Sequence, residues 1–364
     1  MKSIRKFLLP LSLFYWLGVS VRNWFFEIGF LKSNKVSVPM ISVGNISAGG
    51  VGKTPFVEML IEKLAFSNQL SVVSRGYGRK SSGTIVVSDG RGNIASGEEA
   101  GDEPSQLAHK YPELIVVVDE QRVRGARKAI ELGATMILLD DGFQHRYLQR
   151  DLDIVIISAE EILKGDLLLP SGNRREPLSS LERADLIAIT RCSDLKEYKH
   201  VYTMGRERKS LPTETPTIGL TTKLKVFKHI LSNKIVKIEK FTNKKVVAFS
   251  GVGNPKSFED LMLEMNIKVV KHIAFSDHHW YRDDDIQTII RARKETNADY
   301  IITTEKDAVR LREKFVELLK TEPVIVAEIQ QEIISGEKIL NDLLKRIVQK
   351  PKINFVKQTR NNIH

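Results

Sequence analysis

The sequence predicts an α/β protein: a largely parallel sheet with helices on both faces, followed by a smaller C-terminal α/β domain joined to it by a β-ribbon. Three observations carry this. From residue 38 to about 195, short wholly apolar runs alternate with helical stretches, the pattern of strands buried on both faces. Each unusual polar cluster in this half falls directly after such a run, where open parallel sheets gather ligands. After a lysine-rich interval at 196–243, a second run-and-helix pattern begins at Val246.

The totals agree. A chain of 364 residues suggests about two domains. The net charge of +11 favours an anionic partner. The basic residues are spread out and lack interleaved aromatics, which speaks against nucleic acid. Cys192 is the only cysteine, so no internal disulfide or multi-cysteine zinc site exists.

Residues 1–35 are the first anomaly. Lys2, Arg5 and Lys6 precede an uncharged run of 15 residues, 7–21, and then Trp24-Phe25-Phe26. A signal peptide wants a small-residue cleavage site, and aromatics follow instead. A span wants about 20 apolar residues. An interfacial helix needs one apolar face, aromatics and flanking cations, all present. A tilted span and a helix packed on the body of the protein stay open beside it. Pro10 is expected to kink the helix or to sit near its start.

The domain at 36–195 opens with an apolar strand, then Val43-Gly44-Asn45-Ile46-Ser47-Ala48-Gly49-Gly50-Val51-Gly52-Lys53-Thr54-Pro55, then a helical pattern. Strand, glycine-rich turn and Gly-Lys-Thr at a helix start make a P-loop, whose backbone N–H groups converge on phosphate oxygens. Asn45, Ser47, Gly49, Gly50, Val51 and Gly52 would cradle the phosphates. Lys53 would reach the β- and γ-phosphates, and the Thr54 hydroxyl would ligate Mg²⁺. Ser47 stands where the general pattern has glycine. Apolar runs at 70–73, 84–87, 114–118, 136–139, 154–157 and 186–189 read as further strands. Helices are expected at 53–66, 103–110, 120–132 and 178–183.

Residues 136–141 form an apolar strand ending in Asp140 and Asp141, the carboxylates that hold Mg²⁺ opposite a P-loop. Asp102, in Gly101-Asp102-Glu103-Pro104, is read as an N-cap, as a general base toward a hydroxyl, or as both. Arg122, Arg124, Arg174 and Arg175 suit phosphate, although arginines at 122–127 also read as plain surface charge. Asp277-His278-His279 reads as a solvated turn or as a histidine oriented by a carboxylate.

Within 196–243, segments at 216–228 and 234–241 read as the β-ribbon of a linker. The second domain, 244–350, has strand candidates at 268–273, 299–303 and 323–327. Residues 351–364 form a basic tail.

Taken together, the ordered motifs resemble the tetraacyldisaccharide 4′-kinase family, the lipid A 4′-kinases of Gram-negative bacteria. They are the Gly44-Asn45 to Thr54-Pro55 loop, Arg75-Gly76-Tyr77-Gly78, Gly101-Asp102-Glu103-Pro104, Asp140-Asp141-Gly142-Phe143-Gln144-His145, Leu169-Pro170 with Gly172 and Arg175-Glu176, Asp277-His278, and 303–307. The resemblance covers essentially the whole chain. It implies ATP and Mg²⁺, transfer of the γ-phosphoryl group to the 4′-hydroxyl of an acylated disaccharide 1-phosphate, and a place on the cytoplasmic face of the inner membrane. It implies Asp102 as base working with His278, and Arg122 and Arg175 as active-site arginines. A monomer is expected. The alternative is a membrane-associated P-loop ATPase or GTPase switch without a small acceptor. A GTPase wants [NT]-K-x-D after a strand, and Thr190-Arg191-Cys192-Ser193-Asp194 has arginine for lysine and one residue too many.

Overall fold

The computed structural model describes residues 5–349 apart from Ser96 and His278. Its strands are β1 (Met40–Asn45), β2 (Leu70–Ser74), β3 (Ile85–Asp89), β4 (Ile115–Val118), β5 (Met136–Asp140), β6 (Leu152–Ser158), β7 (Leu186–Thr190), β8 (Thr217–His229), β9 (Ile235–Val236), β10 (Lys245–Ser250), β11 (Lys268–Ala274), β12 (Tyr300–Thr304) and β13 (Val324–Ser335). All belong to one sheet, in the order β11-β10-β12-β13-β8-β7-β6-β1-β5-β2-β4-β3, with β9 pairing onto β8.

The sheet consists of two parallel blocks. In the first, the run β4-β2-β5-β1-β6-β7-β8 is parallel, the edge strand β3 runs against β4, and the short β9 runs against β8. In the second, β11, β10, β12 and β13 are parallel. The two meet where β13 runs antiparallel to β8.

Register then fixes where the cleft lies. The end of β7 pairs at Gly219 of β8, while the end of β12 pairs at Ala327 of β13. Ala327 itself sits opposite Phe227. The strand ends of the two blocks therefore face each other across the middle of the β8/β13 pair. At about 3.3 Å per residue this middle is roughly 26 Å long.

Burial explains the apolar runs. Residues of β1, β5, β6 and β7 are all buried. Ile41 and Val43 pack with Phe56, Leu60 and Ile61 of the Lys53–Leu64 helix, while Met40 faces Ala126, Ile137 and Leu139 on the other side. Truncating Leu60 to alanine costs about 2–5 kcal/mol for such a site.

Three elements depart from the sequence reading. Residues Leu195–Glu207, inside the expected linker, form a helix capped by Asp194 and buried through Tyr198, Val201 and Gly205. Its sparse apolar spacing among lysines hid it. β13 runs on past residue 327 to Ser335, pairing with β8, so the ribbon expected at 216–241 has β13 as its main partner. The following helix, Glu337–Val348, packs Leu340, Leu344 and Ile347 into the core of the first block.

The N-terminal helix, Leu9–Glu27, carries Pro10 in its first turn. Its buried residues are Ser12 and Asn23, and Leu13, Phe14, Trp16, Leu17 and Trp24 are exposed. It docks by a polar stripe and turns its apolar side outward. Among the described residues no helix is long and apolar enough to cross a membrane.

Candidate active site

The cleft between the strand ends encloses about 910 Å³. Its floor includes Thr222, Ile329 and Gln331 from the middle of the β8/β13 pair. Its walls are loops of both blocks, including the P-loop and the Val252-Gly253-Asn254 turn. Gly253 lies so near the P-loop that a Cβ on it would sit 3.5 Å from the Gly50 nitrogen.

The P-loop leads from β1 into its helix through Gly52, at φ +88°, a left-handed conformation suited to glycine. A side chain there would also meet Gln331, 2.9 Å from an added Cβ. Lys53 donates to Asn45 Oδ1 at 3.0 Å and pairs with Asp141 at 3.1 Å. Arg175 donates to the other oxygen of Asp141 at 2.9 Å. Burial alone would raise the Asp141 carboxyl, but Lys53 and Arg175 outweigh it and hold the pKa below the usual range. Asp140 goes the other way, pushed up to about 7 by burial and by the nearby Glu103. Its Oδ1 is buried with no hydrogen-bond partner.

That orphaned oxygen, beside Asp141 and across from Thr54 in the same cleft, suits a hard cation. Among the described residues no group of three or more His, Cys, Asp or Glu side chains is placed to hold a metal by itself. Mg²⁺ at a phosphate site needs only one or two carboxylates plus phosphate oxygens.

Gly49, Gly50, Val51, Gly52, Lys53, Thr54, Arg122 and Arg175 all line the cleft. Asn45 stands behind it and orients Lys53. Ser47 does not line the cleft, because its hydroxyl donates to Glu161. Of the two candidate arginines near residue 122, Arg122 is buried beside Asp140 and Asp141, and burial lowers its pKa. Arg124 is drawn off to Asp119 at 2.7 and 2.9 Å.

Asp102 is the first residue of the Asp102–Lys110 helix, with Gly101 at the N-cap position. Arg310 of the second block donates to its Oδ2 through Nε at 2.9 Å and Nη2 at 2.6 Å. Arg310 is 1% exposed at its side chain and also reaches Asp307. Asp307 accepts from Gly251 N–H and Tyr281 O–H, binding three loops of the second block together. His278 lies outside the described residues. Its neighbour His279 bonds Asp285 at 2.8 Å and stacks on Phe275. Asp277 accepts from Lys306 at 3.3 Å.

Sequence reasoning missed Arg310 as a partner of Asp102, since 208 residues separate them. It also left Arg75, Tyr77 and Gln144 without a role, and all three line the cleft. Their positions directly after strands were the available signal.

Comparison with known proteins places this architecture. The model of the tetraacyldisaccharide-1-P 4′-kinase family matches residues 4–349. A tetraacyldisaccharide 4′-kinase of Chlorobium phaeovibrioides is 37% identical over 349 residues, 93% of this chain and 96% of that protein. One from Aquifex aeolicus is 37% identical over 313 residues, 85% of this chain and 90% of its own length. A crystal structure of the "apo" form of LpxK from Aquifex aeolicus in complex with ATP superposes with TM-score 0.76 at 34% identity, covering 95% of this chain and 99% of that one. The chain belongs to the tetraacyldisaccharide-1-P 4′-kinase family.

Proposed function

We propose that this protein transfers the γ-phosphoryl group of ATP to the 4′-hydroxyl of an acylated glucosamine disaccharide 1-phosphate, in lipid A biosynthesis. The observation that carries it is the Lys53–Asp141–Arg175 cluster in a cleft built by both blocks. Asp102 stands directly behind the cleft wall at Glu103 and Pro104, held there by Arg310 of the second block. A nucleotide site alone would not need the second block.

The roles follow from chemistry. Phosphoryl transfer depends on positioning and on stabilising spread negative charge. The P-loop backbone and Lys53 hold the β- and γ-phosphates, and Arg122 and Arg175 face the transferring group. Thr54, Asp140 and Asp141 would hold Mg²⁺, which neutralises phosphate charge when bound. Asp102 takes the hydroxyl proton together with His278. The helix start and the Arg310 guanidinium both stabilise the ionised carboxylate. A partner able to accept the proton near neutral pH is then required.

The acyl chains of the acceptor explain the outward apolar side of the N-terminal helix. With Phe14 70% and Leu13 64% exposed, that side suits the headgroup region of a bilayer. The protein works peripherally on the cytoplasmic face of the bacterial inner membrane, where ATP is supplied. Thin-layer chromatography of labelled ATP with the acylated disaccharide 1-phosphate should yield a labelled lipid. Release of labelled phosphate alone would favour an ATPase switch and sink the kinase reading.

A further inference from the structure

The loop 168–176 is held from two sides. On one side lies the P-loop: Arg175 N–H donates to Ile46 O at 2.6 Å, and Ala48 N–H donates to Asn173 O at 2.7 Å. On the other lies the N-terminal helix. Ser12 Oγ donates to Leu168 O at 3.0 Å and bonds Ser171 Oγ at 2.9 Å. Tyr15 O–H donates to the carbonyl of Arg175 at 3.0 Å, and Asn23 Nδ2 to Glu176 Oε2 at 3.2 Å. Glu176 is fully buried and also takes Arg183 at 2.9 Å.

These contacts explain the inverted helix. Ser12, Tyr15 and Asn23 recur at spacings of three and eight, one face of a helix, and that face is spent on the loop. An anchor alone would have no use for buried polar side chains, whose desolvation must be offset by hydrogen bonds. Arg175 is fixed at its N–H by the P-loop, at its carbonyl by Tyr15 and at its guanidinium by Asp141.

We propose that the N-terminal helix is a structural part of the active site as well as a membrane-facing element: Tyr15 and Asn23 are positioning residues that set Arg175 against Asp141. Phosphoryl transfer then depends on helix docking even when the lipid acceptor is presented without a bilayer. This rests on the reading of Arg175 as an active-site residue.

The test uses the full-length chain, detergent-dispersed acylated disaccharide 1-phosphate and labelled ATP. Tyr15→Phe removes one oxygen and keeps the ring, and Asn23→Ala removes the contact to Glu176. Combined, they should lower kcat roughly tenfold, since small misplacement of a charged group suffices. Acceptor KM should change less than about twofold, and sedimentation with phosphatidylglycerol-containing vesicles should be unchanged, because no apolar side chain of the outer face is altered. In an Arg175→Ala background the same pair should cost less than about twofold more, as for residues acting through one another.

Unchanged kcat, a change confined to acceptor KM, or an equal further loss in the Arg175→Ala background would each overturn the coupling. Near-normal turnover of Arg175→Ala alone would instead remove the reading of Arg175, and the coupling with it.

Discussion

The two blocks bring different things to the cleft. The first offers mostly backbone and short-range geometry: a glycine turn, a lysine at a helix start and two carboxylates at the end of β5. The second sends long side chains across. Arg310 reaches Asp102, Lys306 lies 3.7 Å from Glu103, and Glu305 takes Lys110 at 2.7 Å. Lys110 also holds Glu58 at 2.8 Å, tying the P-loop helix to the same junction. One block thus supplies the P-loop wall of the cleft, and the other is tied to it by ion pairs at the junction. The lesson is that the phosphate cradle and Asp102 come from the first block, while the second block holds Asp102 in place through Arg310.

The largest effect expected lies wholly in the first block. Lys53→Ala and Thr54→Ala should each abolish transfer with an intact fold, because they remove charge stabilisation worth several kcal/mol. Near-normal turnover with an unchanged circular dichroism spectrum would break the assignment of the first block as the phosphate site.

Next comes the residue that both blocks touch. Asp102→Ala and His278→Ala should each lower kcat by roughly 10²–10⁴, the range for general acid–base groups. The double variant should lose far less than the product of the two. Nucleotide affinity, read by titration calorimetry, should hardly move. Multiplicative losses would mean that the second block supplies a substrate contact rather than part of one proton-handling unit.

The same contrast decides what could be read beforehand. The strand–loop–helix at Lys53 and the placement of the acid pair on the cleft were legible because each is a run of contiguous residues with a strand before it. The fully apolar strands likewise announce a sheet covered on both faces. Arg310 was not legible, since nothing local in the Glu305–Lys314 helix distinguishes it from surface charge. The far half of β13 was missed because Glu328, Gln330 and Glu332 look like the end of a strand. They tolerate their place because Glu328 takes Lys228 at 2.6 Å and Gln330 donates to Glu332 at 2.9 Å. Ser12 and Asn23, which nothing local sets apart in the N-terminal stretch, are the docking face of its helix.

Arg310 also separates stability from catalysis. Removing it leaves the buried carboxylates of Asp102 and Asp307 without their shared cation. Arg310→Met should therefore cost about 3–5 kcal/mol of stability, the usual cost of breaking a buried pair from one side. Lys164→Ala is the matched control, because its pair with Glu160 has a similar 3.0 Å distance but is mostly exposed. It should stay within about 0.5 kcal/mol. Equal melting temperatures for the two variants would show that the junction of the blocks does not depend on this pair.

The smallest effect concerns His145, at the rim of the first block just beyond the acid pair. Burial, then the nearby Arg122 and Arg150, push its pKa from 6.5 down to about 4. Its Nε2 is buried without a hydrogen-bond partner, so nothing rewards the imidazolium. The native protein thus keeps His145 neutral at pH values where the unfolded chain already takes up a proton. For a group whose folded pKa is depressed, the stabilising contribution is present above pH 6.5 and is lost as the pH falls toward 4. The loss should be on the order of 2–3 kcal/mol by pH 4. His145→Gln keeps a polar side chain of similar reach without the titration. Urea unfolding at pH 7.5, 5.5 and 4.5 should show a smaller loss on acidification for His145→Gln than for the native chain, with little difference between them in slope above pH 7. Parallel pH profiles would mean that His145 is protonated in the native state, and that the arginines around it are further from the ring, or better screened, than the first block places them.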